Sequence, residues 1–385
     1  MKKVLFYNGS LRMGGIERVL VEVLQNIDRS KMNIDLIIED GIKSLNVFEK
    51  DIPKDIEIYY LKSEELIQKT DFYRKNKKNI FYKIMYNIMM NYEGYIKRKK
   101  LKKIIKGKNY DVVIDFDMGL SKHIDLIKAE KKIAWIHASI KNWYEKESKI
   151  RRLEKRLEKY GKVVTICDEM KNETGKLLPN IKNKLVRIYN PFNFDRIKNL
   201  ADDYENINMS LYNQTYIISI ARLTLHQKDF FTLIKGFKLV KKYGFKEKLY
   251  ILGDGPDKEK IQKMISEEKM ENEIFLLGNV KNPYPWIKNS KMLVHSSKYE
   301  GFGLVLVEAL ILEKIVISSK CPTGPSEILE NGEIGFLYEI GDYKKLSELI
   351  IKNLENNTPN EKIDSKIQKY SVEKVIKEYE KIILD

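Results

Sequence analysis

Residues 3–7, KVLFY, form a short apolar run that stops at Asn8-Gly9-Ser10, passes Gly14-Gly15 and enters a stretch, 16–27, with apolar residues at helical spacing. A buried strand, a glycine turn and an amphipathic helix make the opening unit of a doubly wound α/β domain. The unit recurs. Strand-like runs follow at 35–38, 56–61, 112–116, 133–136, 163–166 and 186–189, most of them separated by helical stretches. Alternation of this kind predicts a mainly parallel sheet covered on both faces. Beyond Tyr189-Asn190-Pro191-Phe192 the chain turns polar, NLADDYENINMSLYNQT, and the alternation then restarts. Strands are expected at 216–220, 248–252, 274–277 and 292–295, with helices at about 232–242, 257–268 and 285–288. A chain of 385 residues exceeds what one core usually supports. The reading is therefore two α/β domains, 1–192 and 193–371, and a terminal helix, 372–385, that crosses back to the first domain.

Ligands of such sheets bind beyond the carboxyl ends of the strands, so the loops there hold the candidate chemistry. In the second half those loops collect Arg222 with Lys228, Gly253 with Gly255 in Gly253-Asp254-Gly255-Pro256, and Glu300-Gly301-Phe302-Gly303 leading into a helix that carries Glu308. A glycine turn opening a helix leaves backbone N–H groups at the positive end of the helix dipole, where a phosphate binds well. An arginine and a lysine at the same mouth complete a site for a diphosphate. Glu300 and Glu308 are eight residues apart; if both were helical they would share a face with Leu304, Val305, Leu306, Val307 and Leu310, and a carboxylate there needs a partner.

The first half is less specific. Its glycines do not follow the dinucleotide fingerprint, and no phosphate-binding lysine follows them. Asp115-Phe116-Asp117 spells D-x-D, which holds a divalent metal in one class of sugar transferases, but its flanks bring no further ligand cluster and no metal is assigned. His137 follows the strand KIAWI, at a carboxyl end where a cleft should be, and stays open between a structural and a chemical role.

The net charge of +16 calls for an acidic partner or surface, or reflects a bias of composition. Bias alone does not cluster charge, and between Arg74 and Lys108 thirteen basic residues face one acid, Glu93. This stretch, 71–108, reads as a helical insertion with Ile80, Phe81, Ile84, Met85, Ile88, Met89, Tyr92 and Ile96 at helical spacing. It can lie on an anionic membrane surface, or pack on its own domain with a solvated lysine face. Nucleic acid is not expected, because no recognition motif accompanies the charge. Cys167 and Cys321 stand alone, as in a reducing cytosol. Neither a signal peptide nor an apolar run of the roughly 20 residues that span a bilayer is read. The expected location is cytoplasmic, peripheral at the inner face of the cell membrane.

At this point the chain resembles a family 4 retaining glycosyltransferase of the GT-B fold, two Rossmann-like domains facing each other across a cleft. The resemblance rests on Gly14-Gly15-Ile16-Glu17-Arg18-Val19, Ile136-His137, Tyr189-Asn190-Pro191, Ala221-Arg222-Leu223 with Lys228, Gly253-Asp254-Gly255-Pro256, and Glu300-Gly301-Phe302-Gly303 with Glu308. The spacing from Arg222 to Lys228 is one residue longer than the commonest in that family, and Cys167 stands where a serine is frequent. The resemblance implies metal-independent transfer from a nucleotide-sugar, a UDP-sugar, without a cofactor. Arg222 and Lys228 would meet the donor diphosphate, Glu300 the donor sugar, Glu308 the ribose and Val280 the base. Gly303, Leu304 and Val305 would offer amides to the phosphates, with Gly253 and Gly255 beside them. Gly14 and Gly15 would approach the donor from the first domain, and His137 would line the junction of donor sugar and acceptor. Cys321-Pro322-Thr323-Gly324-Pro325-Ser326-Glu327-Ile328 is similar to a subgroup that builds bacterial surface polysaccharides and lipid-linked glycans. That likeness implies a saccharide or isoprenoid-linked saccharide as acceptor. Two other readings remain: a sugar phosphorylase or nucleotide-sugar epimerase on the same fold, and a basic polyanion-binding protein without turnover.

Overall fold

The computed structural model describes residues 1–144, 146–205, 207–356 and 362–385. Two compact units divide the chain: Met1–Ile166 with Lys171–Pro191 and Val375–Asp385, and Cys167–Met170 with Phe192–Lys374.

The first unit is a seven-stranded sheet of β1 (Lys2–Asn8), β2 (Met32–Gly41), β3 (Glu57–Ser63), β4 (Tyr110–Asp115), β5 (Ala129–Ile136), β6 (Lys162–Thr165) and β7 (Leu185–Arg187). Their order is β3-β2-β1-β4-β5-β6-β7, with all neighbours parallel. In β1 every residue from Val4 to Asn8 is buried, and such continuous burial is what a strand covered on both faces requires. The second unit is a six-stranded parallel sheet of β8 (Tyr216–Ile220), β9 (Lys248–Leu252), β10 (Ile274–Gly278), β11 (Met292–His295), β12 (Ile315–Ser319) and β13 (Phe336–Tyr338), ordered β10-β9-β8-β11-β12-β13. The three-residue β13 is absent from the sequence reading, being too short to carry a pattern.

Both sheets reverse their winding once, between β1 and β4 and between β8 and β11. At such a switch point the crossovers on the two sides lead to opposite faces, and a crevice opens beyond the carboxyl ends of the strands. The helices that matter for these crevices are α1 (Gly15–Asn26), α2 (Glu64–Lys75), α3 (Ile80–Ile104), α4 (Glu147–Leu157), α5 (Phe230–Lys242), α6 (Leu304–Ile311) and α7 (Val372–Leu384). In the second unit, Phe230, Leu233, Ile234, Phe237 and Val240 of α5 join the apolar core with residues of β8, β9 and β11. In the first, Tyr379 of α7 stacks on Trp135 of β5 with ring centroids 5.1 Å apart, and Glu380 accepts a bond from the Asp28 N–H at 2.9 Å. The chain end is thus part of the first unit's core.

Of the two readings of the insertion, an apolar side packed on its own domain is not what the structure has. Of the eight apolar positions expected on one side of a helix, only Met89 is buried; Ile80, Phe81, Ile84, Ile88 and Tyr92 are exposed. The buried stripe of α3 is instead Met89, Glu93, Lys97 and Leu101, spaced by four. The physical reason lies below the helix. Lys97 donates to Tyr7 Oη and to the Gly119 carbonyl, both at 2.9 Å, and pairs with Glu39. Lys62 pairs with Glu39 and Glu93, each at 2.7 Å. A helix seated through ion pairs leaves its apolar residues outside, the reverse of the usual arrangement. No helix among the described residues is long and apolar enough to cross a membrane.

Candidate active site

In the second unit the chain leaves β8 into a loop that carries Arg222 and Lys228, and the loop lies against the glycine turn after β9. A Cβ on Gly253, whose φ is +127°, would stand 2.1 Å from the Ala221 carbonyl oxygen; one on Gly255 would stand 2.4 Å from that of Leu223. Backbone touches backbone here: the Leu223 N–H donates to the Asp254 carbonyl at 3.0 Å, and the Asp257 N–H to that of Leu223 at 3.1 Å. The two glycines therefore have a shaping role, in that they let the loop with Arg222 settle. Arg222 itself is exposed, and Val280 is half-buried in the loop after β10.

The loop after β11 is pinned from both sides. The Glu300 N–H donates to the Pro322 carbonyl at 3.1 Å, and the Thr323 hydroxyl donates to the Glu300 carbonyl. A Cβ on Gly324 would stand 2.0 Å from the Phe302 carbonyl oxygen. On the other side, Lys228 and Ser297 form an antiparallel bridge, extended by the Asp229 N–H bond to Ser296 at 3.0 Å and the Lys298 N–H bond to Gln227 at 2.8 Å. Between Arg222 and Lys228 the chain makes a turn in which the Lys228 N–H donates to the Thr224 carbonyl at 3.0 Å. Gly303, in the left-handed region at φ +95°, then starts α6, whose first residues are Leu304 and Val305.

These constraints bring Lys228 and Glu300 together as a buried ion pair, each 8% exposed. Ser297 Oγ donates to the same Glu300 oxygen at 2.7 Å, His295 Nε2 lies 3.1 Å from it, and Gln227 Nε2 reaches the other oxygen at 3.4 Å. Burial by itself pushes the Glu300 carboxyl up, but the Lys228 ammonium and His295 outweigh it and hold the group well below the usual carboxylate range. Burial also lowers His295, against the opposing pull of the Glu300 carboxylate beside it. Glu300 belongs to the loop and Glu308 to α6, so the two carboxylates do not share a helix face. Glu308 is buried and accepts from Tyr284 Oη at 3.3 Å. His295 and Ser297 were not singled out in the sequence, although a histidine closing a strand is the signal that drew attention to His137.

The first unit holds Gly14, Gly15 and His137. Gly14 is the extended residue before α1, and a Cβ there would meet only the flexible end of Glu17. Asp117 accepts the N–H groups of Gly9 at 2.7 Å and Gly119 at 2.9 Å; Asp115 accepts from Leu120 N–H at 3.1 Å and Tyr160 Oη at 2.6 Å. The D-x-D spelling thus ties the loop after β1 to the loop after β4. Burial raises both carboxyls, and for Asp115 the neighbouring Asp117 charge adds to it. His137 is buried, with its ring centroid 4.7 Å from that of Phe116, and its Nε2 has no hydrogen-bond partner among the described residues. Burial pushes its pKa down to about 3, so the imidazole is neutral at pH 7. His137 and Asp117 line a cavity of about 980 Å³ with Ile16, Lys97, Trp143 and Arg152.

Residues 197–370 match the family described as Glycosyl transferases group 1. An uncharacterized glycosyltransferase of Methanocaldococcus jannaschii is 30% identical over 260 residues, 58% of this chain and 64% of that protein. The poly(ribitol-phosphate) alpha-N-acetylglucosaminyltransferase of Staphylococcus aureus is 30% identical over 199 residues, 50% of this chain and 40% of that protein. The chain thus spans less than two thirds of the length of these curated relatives. Among solved structures, Anabaena HepE in complex with UDP-glucose matches at a TM-score of 0.77 and 16% identity, with all of both chains covered. That likeness is one of fold. Segment 197–370 is thus similar to the group 1 glycosyl transferases, and the two doubly wound sheets have the GT-B fold.

Proposed function

We propose that the chain is a glycosyltransferase that moves a sugar, with retention and without a metal ion, from a UDP-sugar to a saccharide or lipid-linked saccharide in surface glycan synthesis. The observation that carries this reading is the buried Lys228–Glu300 pair at the β8/β11 switch point, beside the start of α6 and inside the family segment. The donor complex of HepE and the polymer acceptor named for the Staphylococcus aureus relative support the substrate classes.

The chemistry follows from the charges. Breaking the bond between the anomeric carbon and the diphosphate places negative charge on the leaving phosphate. Arg222, Lys228 and the amides of Gly303, Leu304 and Val305 stabilise that charge, and one such donor is worth on the order of 10²- to 10³-fold in rate. Glu300, kept ionised by Lys228, accepts hydroxyl donors of the sugar. Glu308 takes the ribose and Val280 borders the base. Gly14, Gly15 and His137 serve from the first unit, His137 as a neutral imidazole. For retention, the acceptor oxygen bonds to the anomeric carbon on the face the phosphate leaves, and its proton passes to the departing phosphate oxygen. The hairpin of α2 and α3, with exposed Phe72, Ile80, Phe81 and Ile84 beside a run of lysines, docks on an anionic membrane surface.

A thermal-shift panel of nucleotide sugars tests the reading. A UDP-sugar is expected to raise the unfolding temperature and oligonucleotides are not. No shift with any nucleotide sugar overturns it. Flotation with anionic vesicles tests the docking surface, and a protein that stays at the bottom of the gradient removes it.

A further inference from the structure

The turn that pins Glu300 has a backbone that its sequence should avoid. Pro322-Thr323-Gly324-Pro325 follows β12, and Thr323 lies in the left-handed region at φ +61°, with Gly324 beside it at φ +106°. Glycine and asparagine enter that region at little cost, whereas a side chain branched at Cβ is the least suited to it. Six described residues other than glycine have a positive φ. Of these, Thr323 is the only β-branched one and the only buried one, at 3% exposure. Close packing does not call for threonine here. Gly324 already admits the Phe302 carbonyl, and glycine or asparagine at position 323 would give the same turn without the crowding. Strain of this kind persists only where the surroundings impose it, and it points to a role.

The role follows from what the turn touches. On one side it is anchored within the second unit: the Gly324 N–H donates to Glu169 at 2.8 Å, and Glu327 accepts the N–H groups of Asp168 at 3.1 Å and Glu169 at 3.0 Å. On the other side the Pro322 carbonyl takes the Glu300 N–H at 3.1 Å, and the Thr323 hydroxyl donates to the Glu300 carbonyl. Among the described residues Thr323 is the only donor to that carbonyl. One turn thus holds both polar groups of the Glu300 backbone and, with them, the direction of its Cα–Cβ bond. The other end of that side chain has little tolerance. Its carboxylate must meet Lys228, Ser297 and His295 in a buried site, where a misaimed charge is left uncompensated. We infer that Thr323 is a positioning residue, whose strained backbone sets a hydroxyl on the Glu300 carbonyl and so aims the carboxylate at Lys228 and at the donor sugar. The effect on transfer rests on the proposed role of Glu300; the effect on the ion pair does not.

Two variants of the full chain test this. Thr323→Gly removes the crowding and the hydroxyl together, and Thr323→Ser removes the methyl but keeps the hydroxyl. UDP binding is measured by calorimetry. UDP release is measured at saturating UDP-glucose or UDP-N-acetylglucosamine, whichever gives the larger thermal shift. Thr323→Gly is expected to bind UDP within twofold of the parent, because Arg222, Glu308 and Val280 are untouched, and to release UDP at least tenfold more slowly. Thr323→Ser is expected to stay within threefold of the parent rate. A merely structural turn would lose UDP affinity along with rate. A Thr323→Gly rate within twofold of the parent, a Thr323→Ser rate as low as that of Thr323→Gly, or a tenfold loss of UDP affinity in Thr323→Gly overturns the inference. A double-mutant cycle in urea reads the ion pair without any donor. Glu300→Gln is expected to shift the unfolding equilibrium at least threefold less in Thr323→Gly than in the parent, because the pair it removes is already misaimed. Additive effects overturn the inference. If the parent neither binds nor cleaves a UDP-sugar, the donor reading falls, and the cycle alone decides for Thr323.

Discussion

The two switch points carry the same ingredients in opposite states. At β8/β11 the Lys228 ammonium, the Glu300 carboxylate, His295 and Ser297 satisfy one another in a closed, buried set. At β1/β4 the acids are likewise closed off, by Lys62, Lys97 and backbone amides, but Arg98, Lys122, Lys149, Arg152 and Arg156, which line the same cavity, form no salt bridge with a described residue. The first arrangement is a preorganised dipole that a neutral, hydroxyl-rich group can read. The second is an open electrostatic basin. The comparison teaches that one fold, used twice, can close its charges on one another at one switch point and leave cations over at the other, and that the difference lies in the residues around the first cavity and not in the central lysines, which are paired in both.

Removing the lysines in turn breaks the comparison most sharply. Lys228→Met leaves the Glu300 charge buried without its cation; loss of about 3–5 kcal/mol is expected in urea unfolding, with turnover down at least tenfold. Glu300→Gln keeps the packing and is expected to cost turnover as much. Near-normal rates in both variants would sink the assignment of this pair. Lys97→Met should cost less, about 2 kcal/mol, because Lys62 still neutralises Glu39; the loss expected is that of hydrogen bonds to a charged group. A loss as large as that for Lys228→Met would show that the first pole is wired as tightly as the second.

Acid should sharpen the contrast with a smaller effect, on the order of 1 kcal/mol. The folded carboxyl of Glu300 is depressed, so its contribution is present above the ordinary value of 4.5 and is lost as pH falls below it. Asp115 and Asp117 are raised, so their contribution is present below the ordinary value of 3.8 and is lost as pH rises towards neutrality. Urea midpoints from pH 4 to pH 7 should therefore show the gap between parent and Glu300→Gln closing at the acid end, and Asp115→Asn losing the opposing slope. Parallel curves for Glu300→Gln would contradict the buried ion pair. The smallest expected change in stability, within about 0.5 kcal/mol, is for Ile84→Gln/Ile88→Gln on the exposed side of α3, measured by urea unfolding with vesicle flotation alongside. Flotation is expected to drop severalfold; a large loss of stability instead would mean that this side packs within the protein.

The strands β8, β9 and β11 were legible to the residue, because a strand covered on both faces is a continuous apolar run bounded by a polar or glycine turn. Glu300 and Glu308 were legible as carboxylates in need of partners. The partner of Glu300 was not, since Lys228 lies 72 residues away and the charge of both residues suggested a ligand instead. Gly253 and Gly255 read as phosphate glycines, yet a backbone neighbour already requires them. On α3 the apolar periodicity was real but did not mark the buried side, because Glu93 and Lys97 look like surface residues until their counter-charges on β2 and β3 are in place.

That inverted helix ties two properties of the molecule to one mechanical part. Lys97, in the inner stripe of α3, also lines the cavity, so the apolar exterior of the helix and the wall of the cavity are opposite sides of one helix. The helix cannot be shortened without taking charges from the cavity wall, whereas its outer residues can be exchanged freely, and those should be the positions where close homologues differ most.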